Sequence, residues 1–254
     1  MEDLTQLRYA LDGHVATLTM DAPPVNALND ELHLALDRNS EMDEVRAVVL
    51  TGAGKQFCAG ADLKGRATVI KRPGNMGGHA RRTRECFHAI SECAKPVVAA
   101  VNIAALGSSL AMVASADIIV VSEAASLGQP EVDVDLMNGA RHAMRLFSHS
   151  RLRRMALTGM RVKGEELLRL GIVEARVPPD ALMPAAMEIA RAIASKSPVS
   201  TRMGNHTMNV IEDMSLPDGY RYEKDMTAQI GKSEDAKEAQ RAFAEKRAPV
   251  FTGR

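Results

Sequence analysis

Short runs of β-branched and small apolar residues alternate with longer amphipathic stretches through the first two thirds of the chain. Residues 15–20, 47–51, 96–101 and 117–122 carry apolar side chains at nearly consecutive positions, the pattern of strands covered on both faces. Between the first two runs, 29–42 sets Leu32, Leu34, Ala35 and Leu36 behind an Asn/Asp cap, which predicts a helix. Strand, helix, strand, helix in this order predicts an α/β fold.

From Ala140 the pattern turns helical. Helices are predicted over 145–158 and 163–170, the second stopped by Gly171, followed by an extended piece at 172–177 and a break at Pro178-Pro179. An alanine-rich helix is predicted over 181–195, and 198–248 reads as helical with a hinge near Pro217-Asp-Gly219. No low-complexity tract or evident repeat interrupts the chain. The segment 66–84, with Pro73-Gly74 and Gly77-Gly78, follows no clear period and reads as a mobile pocket wall.

Composition narrows the function classes. Thirty-two basic residues balance thirty-two acidic ones, so no global field recruits a nucleic acid or an anionic membrane, and an anionic ligand needs a local cluster. Aromatic residues make up 3% of the chain and tryptophan is absent, which argues against base stacking on single strands. Cys58, Cys86 and Cys93 lack zinc or redox spacing and read as reduced thiols. The N-terminus lacks a signal-peptide pattern and no apolar run spans a bilayer, so a cytoplasmic protein is expected.

Three segments carry candidate chemistry: Phe57-Cys-Ala-Gly-Ala-Asp-Leu63, Ala105-Leu-Gly-Ser-Ser109 and Leu127-Gly-Gln-Pro-Glu131. Two small-residue turns let backbone N–H groups approach a carbonyl oxygen, and an acid nearby can move a proton. By spacing alone, the turns read equally as ordinary strand closures and Glu131 as a surface loop residue. Thr51-Gly-Ala-Gly-Lys55 lacks the spacing and following hydroxyl of a phosphate loop. Arg81-Arg-Thr-Arg84 and Arg151-Leu-Arg-Arg154 read as solvated helix faces, and His142 and His149 lack a nucleophile motif.

Taken in order with Pro24-Val-Asn-Ala-Leu28 and Lys95-Pro-Val-Val-Ala-Ala-Val-Asn102, these segments resemble the enoyl-CoA hydratase/isomerase (crotonase) superfamily over nearly the whole chain. The resemblance implies a spiral of repeated ββα units over 1–196 holding an acyl-CoA site, and a C-terminal helical oligomerisation region over 197–254 that forms a homotrimer or homohexamer. It implies that the backbone N–H groups of Ala61 and Ser108 stabilise a thioester enolate, with Glu131 as proton carrier. Pro24, Val25, Ala59, Ala61, Asp62, Leu63, Lys64 and Lys246 are the implied contacts to coenzyme A, which enters as part of the acyl-CoA thioester substrate. Arg247 is a further candidate, and no metal or separate cofactor is indicated.

The chain departs from the hydratase pattern at three places. Ala111 stands where hydratases carry a second glutamate, and Ser108 and Ser109 stand where they carry glycines. One carboxylate suffices to carry a proton between the α and γ carbons of an enoyl thioester, which shifts the expectation from hydration toward double-bond isomerisation. Asp133 and Asp135 share a side with Glu131 if the segment is extended, and either then serves as the missing acid or as a solvated edge. Asn138-Gly139 replaces a Pro-Gly pair, which leaves the role of Gly139 open. A hydrolase or decarboxylase of the same fold, or a non-catalytic acyl-CoA binder, is the alternative.

Overall fold

The computed structural model describes residues 4–26, 31–60 and 75–254, the side chains at 75–80 and 82 apart. Nine strands lie among the described residues: β1 (Leu7–Asp12), β2 (Val15–Met20), β3 (Ala47–Gly52), β4 (Val97–Val101), β5 (Ala104–Leu106), β6 (Ile118–Ser122), β7 (Ser126–Gly128), β8 (Arg161–Lys163) and β9 (Ala175–Val177). The helices are α1 (Glu31–Glu41), α2 (Asn75–Ser91), α3 (Ser108–Ser115), α4 (Ala140–Ala143), α5 (His149–Thr158), α6 (Gly164–Arg169), α7 (Leu182–Ala194), α8 (Pro198–Ile211), α9 (Leu216–Ile230) and α10 (Glu234–Glu245).

The large sheet runs β1-β2-β3-β4-β6-β9, parallel except for the β1–β2 pair. Its central strands are buried on both faces, as their continuous apolar runs require. Val48, Leu50, Val97, Ala99, Val101, Ile119 and Val121 join the main core with α1, α2 and α3. The alternate residues Val49, Val98, Ala100 and Val120 face α7, which offers Leu182, Ala186, Ala190 and Ala194 at four-residue spacing along one stripe.

A small second sheet holds the strands β5-β7-β8 in that order, β5 and β7 following β4 and β6 directly in the chain. Cys58 bridges Ala105 in parallel, so the segment after β3 runs alongside β5 as a partial strand. The chain thus repeats one move: a strand in the large sheet, a short one in the small sheet, then a helix. β3, Cys58 and α2 make one such unit, and β4, β5 and α3 make the next.

The expected strands and the 181–195 helix form with bounds shifted by a few residues. The hinge expected at 217–219 is displaced. Pro217 lies in the first turn of α9, where a missing N–H is harmless, and Ser215 caps that helix, so the break falls at 212–215. A second break precedes Ser233, the cap of α10. The helix expected over 145–158 is shorter, with α5 beginning only after Ser148. The C-terminal helices are tied back to the core by Asn209 Nδ2 donating to Ser91 O at 2.7 Å and by ion pairs from Arg141 to Asp213 and Arg145 to Glu212. Among the described residues, no helix is long and apolar enough to cross a membrane.

Candidate active site

Two asparagines lock the loops that frame the site. Asn26, buried and in a left-handed conformation that asparagine tolerates, donates to Ala53 O and Gln56 O at 2.9 Å, while its Oδ1 accepts from Ala22 N at 3.0 Å. Ala59 N donates to Val25 O at 3.0 Å, which sets Pro24 and Val25 beside Ala59. Asn102 Nδ2 donates to Gly52 O and Gly54 O, at 3.0 and 3.1 Å. The glycine-rich loop that superficially suggests phosphate binding therefore has the carbonyls of Gly52, Ala53 and Gly54 engaged by the two asparagines, and its Ala53 N–H donates to Met20 O at 2.8 Å. Both asparagines lie in segments that carry the family resemblance, 24–28 and 95–102, but nothing in the sequence names the carbonyls they hold.

The two small-residue turns meet. At Gly60, with φ +91°, a Cβ would stand 2.9 Å from Leu106 O and 3.3 Å from Ser108 N, so only glycine lets the 58–60 segment approach the start of α3 this closely. The N–H of Gly60 donates to Cys58 Sγ at 3.3 Å. Burial pushes the Cys58 thiol up to about 11, so it packs as an inert apolar group. Ser108 opens α3, where an N–H has no acceptor within the helix and the helix dipole favours negative charge. Ala61, Asp62, Leu63 and Lys64 lie outside the described residues.

Glu131 sits in a 3₁₀ turn, Pro130–Val134, opened by its proline. Both carboxylate oxygens are shielded from solvent with no hydrogen-bond partner on another described residue. Burial is the main cause that raises its pKa above the ordinary carboxylate value. The carboxylate lies directly over Gly107, where a Cβ would stand 2.8 Å from Oε1 and 3.2 Å from Cδ. An unpaired, desolvated carboxylate is costly to hold, and it packs against the residue that precedes Ser108.

A cavity of about 300 Å³ joins these groups, lined by Ala59, Gly60, Leu106 to Ser108, Pro130, Glu131, Asp133, Val134, Leu136 and Asn138. Of the expected site residues, the structure brings Ala59, Ser108 and Glu131 to this one cavity. Lys246 ends α10 in a left-handed conformation and is not among the lining residues. Arg247 is committed to Glu238 and Glu245, each at 2.6 Å. His142 rests edge-on against Phe87, and His149 accepts from Arg153; neither lines the cavity.

The extended reading of 131–135 fails. The 3₁₀ turn separates the acids: Asp133 lines the cavity but sets its carboxylate against Gly159, and Asp135, left-handed at φ 54°, does not line it. Ala111 is fully buried, and the space beyond its Cβ is closed by Gly139, where a Cβ would come within 2.8 Å of it. No second carboxylate therefore joins Glu131 from position 111.

The sequence model of the enoyl-CoA hydratase/isomerase family matches residues 11–254. The chain belongs to the enoyl-CoA hydratase/isomerase family. It is 34% identical to the short-chain-enoyl-CoA hydratase of Clostridium acetobutylicum, covering 96% of this chain and 97% of that one. It is 33% identical to the carnitinyl-CoA dehydratase of Salmonella typhi, covering 98% of each. The crystal structure of an enoyl-CoA hydratase from Bacillus anthracis superposes with a TM-score of 0.93 at 30% identity, covering 98% of this chain and all of that one. The ββα spiral is the fold of this family.

Proposed function

We propose that the chain is an enzyme acting on an acyl-CoA thioester through an enolate, with Glu131 as the sole carboxylate that moves the proton. The observation that carries this reading is the buried Glu131 carboxylate, without a hydrogen-bond partner on another described residue, packed on Gly107 beside the N–H that opens α3. The thioester oxygen accepts from Ser108 N–H and, following the family pattern, from Ala61 N–H. Charge that develops on that oxygen meets preorganised donors, each worth about 3–4 kcal/mol of transition-state stabilisation.

Double-bond isomerisation needs no more than this. Glu131 takes a proton from the second acyl carbon of a 3-enoyl thioester, and the electron pair delocalises onto the thioester oxygen. The same carboxyl returns the proton to the fourth carbon, leaving the double bond between the second and third. The closed space at Ala111 supports this over two-acid addition of water. Hydration of a 2-enoyl thioester is the second reading, favoured by relatives named hydratase and dehydratase.

Coenzyme A enters as part of the substrate, with Pro24, Val25, Ala59, Ala61, Asp62, Leu63 and Lys64 as its contacts. Lys246 is a contact supplied by a neighbouring subunit. Residues 197–254 serve assembly into trimers or hexamers, supported by Leu216 and Phe243, each 87% exposed. Absorbance of the conjugated enoyl thioester tests the reaction, with Glu131→Gln as control. A Glu131-dependent gain from 3-enoyl-CoA is the expected result; a Glu131-dependent loss from 2-enoyl-CoA selects hydration. Equal activity in the variant overturns the role of Glu131.

A further inference from the structure

The chain beyond α10 folds back along the helix it has just left, and two acids one turn apart on that helix hold it there. Lys246 caps α10 at φ 53°, and Arg247 N donates to Ala242 O at 3.0 Å, which reverses the chain. Glu238 then accepts from two guanidinium nitrogens of Arg247, at 2.6 and 3.0 Å, and from Val250 N at 3.0 Å. Asp235, on the same helix face and 1% exposed, accepts from Ser197 Oγ, Thr252 N and Gly253 N at 2.9, 2.8 and 3.1 Å. Its own N–H donates to Arg254 O at 3.0 Å, so backbone and side chain of one residue both grip the tail.

This clasp exceeds what ending a helix requires. The left-handed cap at Lys246 already stops α10, and a terminal segment left to itself frays. Arg46, from the start of the large sheet, adds a bond to Phe251 O at 3.2 Å and so ties the tail to the core. Arg247, and then the Val250 N–H, hold the Glu238 carboxyl down to about 2, which keeps the clasp charged near neutrality. What the clasp fixes is the bend. Arg247 is neutralised there by Glu238 and Glu245, whereas the exposed Lys246 beside it makes no ion pair among the described residues.

We propose that Asp235 and Glu238 are positioning residues: by pinning 247–254 against α10 they hold Lys246 in place to meet the phosphate-bearing part of coenzyme A on a neighbouring subunit. The inference rests on the reading, given above, that Lys246 is such a contact. A charge-assisted hydrogen bond from a lysine corresponds to about 10- to 100-fold in affinity. Losing the order of the side chain that donates it corresponds to about 2- to 10-fold.

The test is calorimetric titration of the full chain with butyryl-CoA and with S-butyryl-pantetheine, which lacks the nucleotide and the phosphates. Asp235→Asn and Glu238→Gln are each expected to weaken butyryl-CoA binding about 2- to 10-fold, to leave the pantetheine thioester unchanged, and to add nothing in a Lys246→Ala background. Unchanged butyryl-CoA affinity in either variant overturns the proposal. An equal loss for both ligands makes the clasp a matter of folding alone and overturns it too, as does a selective loss that persists when Lys246 is alanine. Should Asp235→Asn not fold, Glu238→Gln is read by the same ratio. A separate result is that Lys246→Ala itself leaves the ratio of the two affinities unchanged; the contact is then absent, and both that reading and the proposal built on it fall.

Discussion

Replacing Gly107 with alanine tests whether the candidate acid is seated where the geometry puts it. Gly107 holds φ 61° and ψ −126°, a region that residues with a Cβ avoid at a cost of about 1–3 kcal/mol. The added methyl would stand 2.8 Å from Glu131 Oε1, so the carboxylate must move as well. Gly171 is the control: its φ is +68°, yet nothing lies within 4 Å of the point where a Cβ would stand, so Gly171→Ala carries only left-handed strain, about 1–2 kcal/mol.

Both variants are expected to lower Tm, by roughly 2–4 °C per kcal/mol in a chain of this size. Only Gly107→Ala should lose turnover, because a shift of about 1 Å at a reacting group costs about 100-fold. The assay pairs thermal unfolding with conjugated-thioester absorbance on the same preparations. If Gly107→Ala melts like Gly171→Ala and turns over within about twofold of wild type, the carboxylate is not held against that glycine during catalysis, and the reasoning fails.

Asp117, pushed up to about 6 chiefly by burial, binds its proton more tightly folded than unfolded, so stability should fall as pH rises from about 4 to about 6 and then level off. Asp117→Asn should flatten that segment of a stability-against-pH curve, whose slope is at most about 1.4 kcal/mol per pH unit. The pKa of Glu131 is raised by burial, so the acid limb of the rate profile should lie at higher pH than for a free carboxylate, with activity rising as Glu131 ionises. Kinetics from about pH 4 to about pH 8 check this, and a limb at or below the free value contradicts it. Restoring the second acid as Ala111→Glu should lower Tm by roughly 10 °C or more without creating a two-acid site, because the charge would be buried without a partner against Gly139. A gain in hydration by that variant would show that the 138–139 turn yields.

Legibility followed length and burial. Strands β3, β4 and β6 could be read because burial on both faces forces unbroken apolar runs such as Val97 to Val101. The three-residue strands β5, β7 and β8 are too short to show a period. β1 escapes the pattern because five of its six residues are not fully buried, which breaks up the apolar run. At the site, the segments containing Ala59, Ser108 and Glu131 were legible as small-residue turns and a Pro-Glu pair. The contacts that aim them were not: Glu131 on Gly107, Gly60 against Ser108 N, and Asn138 on Ser108 Oγ all cross between segments distant in sequence. The alternation of acids from Glu131 to Asp135 misled, since an opening proline suits a 3₁₀ turn as well as an extended strand.

The placement of the site follows from how the spiral repeats. Each unit leaves the large sheet, pairs briefly in the small one, and turns into the next helix. Consecutive units therefore stack equivalent turns side by side, and the Cys58–Ala105 bridge fixes the register of two of them. Glycine at 60 lets these turns come close, and glycine at 107 leaves room for a carboxylate from the turn after β7, whose Gly128 O accepts from Gly107 N at 2.9 Å. Helix α3 opens at the resulting gap, where the shielded Glu131 carboxylate has no hydrogen-bond partner on another described residue. Filling either glycine separates groups that the backbone otherwise holds together, so the chemistry depends on two missing side chains as much as on the acid itself.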